Sequence, residues 1–273
     1  MKKRIVLLVL AIPIFMFAQR KPKIKGNRSV TEVKEELPAF NAIELNDDLD
    51  IQLKKSYGEG YEIIADDNLI DVLKFKVEDS TLVISSFYKI TAKKKLKITV
   101  NFKELKAINQ KAGKITVEDI ISSDNLYINT FGSSKIELKA SGGIASLNME
   151  DTSKGDFNVD VDSLNISLKN KADAKIYAVS GAKNIELYNT ASLKLEGTTD
   201  TLKLKMENNT KFDGEKMEAS TAILDVTSSA STRVNAYKEF ELTSSGSSKT
   251  YLYGNPRISI LQFLDTSQLI KKK

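Results

Sequence analysis

The sequence predicts an all-β protein, a parallel β-helix (β-solenoid) of roughly 20-residue rungs preceded by N-terminal β-strands. Three observations carry that expectation. From Leu37 onward apolar residues alternate with polar ones at a period of two, as in strands with one buried face. After Leu105 a leading apolar pair recurs at Leu126/Ile128, Leu147/Met149, Leu164/Ile166, Ile185/Leu187, Leu202/Leu204, Ile223/Leu224 and Phe240/Leu242. The pairs stand roughly 17 to 22 residues apart, a period that marks stacked repeats. Between them lie small-polar tracts, among them Gly132-Ser-Ser134, Asp151-Thr-Ser153, Ala172-Asp-Ala174, Thr190-Ala-Ser192, Asn208-Asn-Thr210 and Ser244 to Ser248, each followed by a second apolar strand.

Taken in order, the first eighteen residues have the form of a secretory signal. Lys2, Lys3 and Arg4 precede an apolar run from Ile5 to Phe17 that closes on Ala18. No later run reaches the roughly 18 apolar residues of a membrane anchor, so the mature chain is expected to be exported and soluble, in the periplasm or at the cell surface. Residues 19–36 are polar and charge-dense and are expected to form a flexible leader. Residues 37–105 form an N-terminal β region: Phe40, Ile43 and Leu45, then Leu49, Ile51 and Leu53, then Leu82-Val-Ile84 and Leu96, Ile98 and Val100. Asn68-Leu-Ile-Asp-Val-Leu73 is the one helical candidate, a single turn with Asn68 as cap. Residues 106–273 are the solenoid repeats, continuous with the preceding region. A unit of about 20 residues cannot bury its own apolar face, so units stack around a shared core. An antiparallel sandwich would instead call for Asn-Gly or Asp-Gly hairpins, and Asp213-Gly214 is the one dipeptide of that kind.

Composition narrows the chemistry. The chain has no Cys and no His, which removes disulfides, thiolate sites, lipidation at a cysteine and the commonest general base. The formal charge of +5 includes three cations of the signal, leaving 5 − 3 = +2 for the remainder. Without clustered cations and interleaved aromatics, nucleic acid is not an expected partner. Asp47-Asp48-Asp50, Asp66-Asp67 and Asp160/Asp162 are the carboxylate groups to test for calcium; none has the spacing of a known calcium loop, and Asp favours turns in any case. Lys154, Asp156, Lys175, Arg233 and Lys249 fall near polar corners but in no motif that assigns catalytic roles. The expectation is a protein without cofactor, metal or catalytic centre.

The small-polar tracts give the one candidate site. If their hydroxyls stack at one corner of successive rungs, Ser134, Ser153, Ser192, Thr210, Ser231 and Ser248 form a ligand-facing polar ladder; alternatively they satisfy turn amides. Tyr177, Tyr188, Tyr237, Tyr251 and Tyr253 could stack on sugar rings or serve as strand residues. Lys135-Ile-Glu137 and Lys194-Leu-Glu196 are expected to pair charges across rungs.

The order of these segments resembles the bacterial head GIN domain family of autotransporter adhesins, found mostly in Bacteroidetes. The resemblance runs from about Leu37 onward and rests on Phe40-Asn-Ala-Ile43, Leu49-Asp-Ile-Gln-Leu53, Asp67-Asn-Leu69 leading into Leu82-Val-Ile84, the Ser-Gly-Ser-Ser repeats and Tyr251-Leu-Tyr-Gly-Asn-Pro256. It implies a right-handed β-helix and no catalytic residues. The glycine-poor corners at Ala172-Asp-Ala174 and Thr190-Ala-Ser192 depart from the family pattern and are expected to be shaped differently. Two functions stay open: an adhesin-like envelope module that binds glycan or protein, and an assembly protein that stacks through its end rungs, where Ile258-Ser-Ile-Leu-Gln-Phe-Leu264 either caps one edge or pairs with a partner.

Overall fold

The alternation becomes strand over most of the chain. The computed structural model describes residues 21–273, so the signal read at residues 1–18 lies outside it. Strand accounts for 70% and helix for 2%. The leading elements are β1 (Lys23–Lys25), β2 (Val30–Glu36), β3 (Ala42–Leu45), β4 (Asp50–Lys55), β5 (Gly60–Asp66), α1 (Asp67–Ile70), β6 (Leu73–Glu78), β7 (Thr81–Ser86), β8 (Lys89–Ala92), β9 (Leu96–Phe102) and β10 (Ala107–Gln110). Long strands follow: β11 (Lys114–Thr130), β12 (Lys135–Met149), β13 (Lys154–Leu168), β14 (Asp173–Leu187), β15 (Ser192–Met206), β16 (Lys211–Val226) and β17 (Ser231–Ser244). The chain closes with β18 (Lys249–Tyr253), β19 (Arg257–Phe263) and β20 (Gln268–Lys271).

Every long strand pairs in parallel with the next, Lys135 with Lys154 and Lys154 with Asp173, a step of 19 residues. Parallel pairing returns the chain to within about 5 Å of its start, yet a straight 15-residue strand would run about 50 Å. Each strand therefore bends midway, near Ser141, Asp162 and Gly181, and a coil has two corners, this wide one and a tight one between strands. The half after the tight corner lies in what we call the leading sheet and the half before the next one in the trailing sheet. About nine coils stack in this way. The short strands join the same stack through parallel pairing of β10 with β3, β11 with β4, β3 with β7 and β4 with β9.

The tight corners are alike. Their N–H to C=O closures run from Ser134 to Phe131, Ser153 to Glu150 and Ala172 to Lys169, at 3.2–3.3 Å. The second corner residue has φ between 59° and 75° throughout: Gly132, Asp151, Asn170, Asn189, Asn208, Ser228, Gly246 and Asp265. This left-handed region suits glycine, and Asn and Asp tolerate it better than most other residues. The corners that lack glycine therefore keep the same shape, contrary to expectation, because the strained position falls on Asn170 and Asn189, just before the small residues.

Inward side chains form columns along the stack. Leu147, Ile166, Ile185, Leu204, Leu224 and Leu242 are in register and buried in the trailing sheet. Ala222, rather than Ile223, supplies the neighbouring inward position in β16, and Ile223 faces outward half-buried. Glycine appears where a bulky neighbour fills its place: a Cβ on Gly155 would lie 2.1 Å from the Phe157 ring, and one on Gly214 2.5 Å from Phe212.

The leader differs from expectation. Within residues 21–36, β1 pairs with β8 and β2 pairs antiparallel with β5. An edge strand needs no buried face, so Val30–Glu36 is held by backbone ladders that carry little apolar signature. Asp66 reinforces this end: its carboxylate accepts the backbone N–H groups of Arg28, Lys94 and Lys95, which hold it below the usual carboxylate range. The helical turn forms over Asp67–Ile70, but Asn68 does not cap it; its side chain accepts from the Asn27 amide and donates to the Lys25 carbonyl.

Candidate functional site

Strand parity decides which of the expected ladder residues can meet a ligand. Rung-to-rung bonds run from Lys154 N to Ser134 O, Asp173 N to Ser153 O, Lys211 N to Ala191 O and Ser231 N to Thr210 O. Ser134, Ser153, Thr210 and Ser248 thus share one column with Ala172, Ala191 and Ala230, and that column points inward and is buried. The Ser134 hydroxyl donates to the Phe131 carbonyl at 2.7 Å, and Ser244 and Ser248 hydroxyls meet at 2.7 Å. Ser192 and Ser231 stand one residue further along, half-buried in an outward column with Lys154, Asp173 and Lys211. The six residues do not make one ligand-facing ladder. At the tight corners from Ser134 onward this inward position is held by Ser, Thr or Ala, small residues that pack inside the turn, and that is what places hydroxyls in the tracts.

The polar ladder on the surface is built of asparagine. At the tight corners Asn208 donates to Asn189, Asn189 to Asn170 and Asn170 to Asp151, at 2.9–3.3 Å. On the trailing sheet Asn148 donates to Asn129 and Asn129 to Asn109, at 2.9 and 2.7 Å, and Asn184 donates to Asn165 at 2.9 Å. Between β11 and β14 the outward residues of that sheet are Asn125, Tyr127 and Asn129, then Ile144, Ser146 and Asn148, then Ser163, Asn165 and Ser167, then Ala182, Asn184 and Glu186. Glu186, at the far edge of the patch, is the one charged member, in a chain with 28% charged residues. Tyr127 is 49% exposed and Ile144 41%, so an aromatic and an aliphatic side chain stand among the amides. A groove of about 480 Å³ opens beside Asn125 at the wide corner, lined by Glu104, Lys106, Ser122, Ser123, Ser141 and Gly142 among others.

The leading sheet is different outside. Lys154 and Lys249 lie in one outward column and Asp156, Lys175 and Arg233 in the next, so charges alternate over the surface. Arg233 pairs with Asp213 at 3.4 Å. Lys194 and Glu196 pair within their own strand at 2.7 Å, whereas Glu137 does reach across a rung, to Lys114 at 2.8 Å. Pairs this exposed are screened by solvent and contribute little to stability. Of the tyrosines expected to stack on sugars, Tyr177 lies on the leading sheet, Tyr237 at a wide corner and Tyr188 at a tight corner, its hydroxyl donating to Glu186 at 2.9 Å. They share no face. Tyr127 was not among them, although its parity with Asn125 and Asn129 is readable in the sequence.

Of the carboxylate groups, Asp66 is engaged by backbone amides and Asp47 accepts from the Ser86 amide and from Lys21. Among the described residues no three acidic side chains come together as a metal cluster. The strongly shifted amine is Lys183, which the repeat pattern did not single out. It takes the inward position between Leu164 and Leu202, and its ammonium donates to the Ser180 hydroxyl at 2.9 Å and the Thr198 carbonyl at 2.7 Å. Burial pushes its pKa down to about 8.

Residues 39–256 match the family model described as "Putative auto-transporter adhesin, head GIN domain". The chain belongs to that family. The earlier resemblance is thereby established over most of the solenoid. Solved structures share the fold: a putative adhesin from Parabacteroides merdae (TM-score 0.71, 17% identity) and a putative lipid binding protein from Parabacteroides distasonis (TM-score 0.68, 20% identity), each with 92% of this chain and 100% of that chain covered. A putative adhesin from Parabacteroides distasonis superposes with TM-score 0.67 at 15% identity over the same shares. No curated protein matches the chain. Among the described residues no helix is long and apolar enough to cross a membrane.

Proposed function

We propose that this head GIN domain protein is an exported, adhesin-like module of the cell envelope that holds a neutral glycan on the outer trailing sheet between β11 and β14. The observation that carries the assignment is the outward lattice of neutral Asn125, Asn129, Ser146, Asn148, Asn165 and Asn184 around Tyr127, with a single carboxylate, Glu186, at its edge. Each side-chain amide has two N–H donors and an oxygen with two lone pairs, so even Asn129, which both donates and accepts in the ladder, keeps an N–H and a lone pair for a ligand. The ladders fix the amides before any ligand arrives, which lowers the ordering cost of binding. Tyr127 presents a ring face against which an apolar sugar face can pack. Residues 1–18 would direct export, and the solenoid would act in the periplasm or at the cell surface without catalysis. Family membership and the neighbours described as adhesins support a binding role.

The test is calorimetric titration with neutral envelope polysaccharide fragments. Tyr127→Ala and Asn148→Asp are each expected to weaken binding about five- to tenfold, the loss of a stacked ring or a fixed amide being worth about 1–1.5 kcal/mol. Lys175→Ala on the leading sheet is expected to leave affinity unchanged. Binding that survives both trailing-sheet variants, or that follows Lys175, would move the site elsewhere.

A further inference from the structure

The two ends of the solenoid are finished differently. At the N-terminal end antiparallel strands cover the first coil: β5 lies on β9, β2 on β5 and β6 on β7. The outermost strands there carry Glu32, Lys34, Glu35 and Glu36 on β2 and Lys74, Lys76 and Glu78 on β6, charges that discourage further pairing. At the other end β19 pairs with β17 and β20 with β18, and among the described residues nothing pairs with their outer edges. β19 is Arg-Ile-Ser-Ile-Leu-Gln-Phe, with one charge in seven residues. Ile258, Ile260, Leu261, Phe263 and Leu264 are 43–64% exposed there. Yet Ile258, Ile260 and Phe263 stand in register with the buried Phe240, Leu242 and Ser244, so they are core side chains that no further rung of the described residues covers.

We propose that this terminal rung is covered by a second copy of the same chain, tail to tail, about a two-fold axis perpendicular to the solenoid. Head-to-tail stacking would need a free parallel edge at the N-terminal end, where the antiparallel, charged cap stands instead. A two-fold brings β19 against its own copy in the antiparallel sense, and β19 is self-complementary in that sense. With the axis between Ile260 and Leu261, Ile258 faces Phe263, Ile260 faces Leu261 and Ser259 faces Gln262, so apolar meets apolar and polar meets polar. The same operation lays the tight corner holding Asp265 over the start of the partner copy's β19, where Arg257 stands, a carboxylate against a guanidinium. The contact is isologous and closed, so it gives a dimer and not a filament. It leaves the trailing-sheet amides between β11 and β14 uncovered and displays two such faces on one particle. Its failure would not touch the glycan assignment, which is read from a different surface by a different measurement.

The experiment is sedimentation velocity on the purified chain from micromolar to millimolar concentration. The wild type is expected at twice the chain mass. Ile260→Lys, which sets two ammonium groups beside the axis on an already exposed position, is expected at the chain mass with an unchanged far-ultraviolet circular dichroism spectrum. Because the sequence has no cysteine, Leu261→Cys treated with a short bis-maleimide is expected to give a covalent homodimer, and Ser229→Cys at a flank corner to give none. A wild type that stays at the chain mass throughout, an Ile260→Lys variant that remains dimeric, or equal cross-linking at both cysteines would each overturn the proposal.

Discussion

Lys183 shows how far a single position can depart from its column without breaking the fold. Its neighbours above and below are Leu164 and Leu202, and the backbone geometry is that of any other rung. Its amine keeps two hydrogen bonds but has no carboxylate partner among the described residues, and burial lowers the pKa from an ordinary 10.5 to about 8. The sign of the linkage follows directly. Below about pH 8 both folded and unfolded chains carry the proton, and the cost of burying the charge is present in full. Between about 8 and 10.5 the folded chain has released a proton that the unfolded chain still holds, so stability rises with pH in that window. The depression corresponds to about 3 kcal/mol at 1.36 kcal/mol for each unit. Lys183→Met, close in volume and without charge, is therefore expected to raise stability by about 1–3 kcal/mol at pH 7, part of the gain being offset by the orphaned Thr198 carbonyl. In urea titrations at a series of pH values, the advantage of the variant should shrink from pH 8 to 10.5. An advantage that does not change with pH would mean that the amine is hydrated in the folded state.

Within an element, packing volume is conserved along the strand and not position by position. Gly155-Asp-Phe157 in β13 faces Ala174-Lys-Ile176 in β14, and the Phe157 ring occupies the space that a Cβ at Gly155 would take. Gly155→Ala alone should cost about 1–3 kcal/mol by overpacking, and Phe157→Ile alone about 1–3 kcal/mol through a cavity. The double substitution reproduces the inward pair of the next rung and should recover more than half of the summed loss, a coupling that thermal melts of the four proteins would measure. Additive losses would show that Phe157 and Gly155 do not share one volume. The same logic explains what was legible in the sequence. Alternation in Leu147/Met149 or Leu202/Leu204 names strand, and the roughly 19-residue recurrence names the stack. The phase within a rung was less legible, because a small residue such as Ser134 fits both an outward ladder and a cramped inward corner. The corner is marked instead by the left-handed residue, Gly132, Asp151, Asn170 or Asn189, whose side-chain types look like ordinary turn formers. Edge strands such as Val30–Glu36 have no buried face and leave no periodic trace. The asparagine ladders could have been read by aligning Asn129 with Asn148 and Asn165 with Asn184 once the register was in hand.

For the molecule as a whole, a stack in which each rung touches only its neighbours loses structure from its ends before its middle. The N-terminal end resists this because β2, β5 and β6 close over it and Asp66 ties three backbone amides to the cap. The rung of β19 and β20 has neighbours on one side among the described residues, and its core side chains remain 43–49% exposed. Native-state hydrogen exchange should therefore be graded. Amides of β13 and β14 open only with the whole fold, those of β4 and β9 nearly so, and those of β19 and β20 through local fraying at a much smaller free energy. If a second copy seats on that rung, fraying competes with association, and the protection of β19 should grow with protein concentration while that of β13 stays constant, since binding to the folded form adds a mass-action contribution. Graded protection that does not depend on concentration would leave the solenoid as a stack with one soft end. Uniform protection would show that the last rung is locked by its own chain, and that cooperativity extends along the full stack despite its one-dimensional wiring.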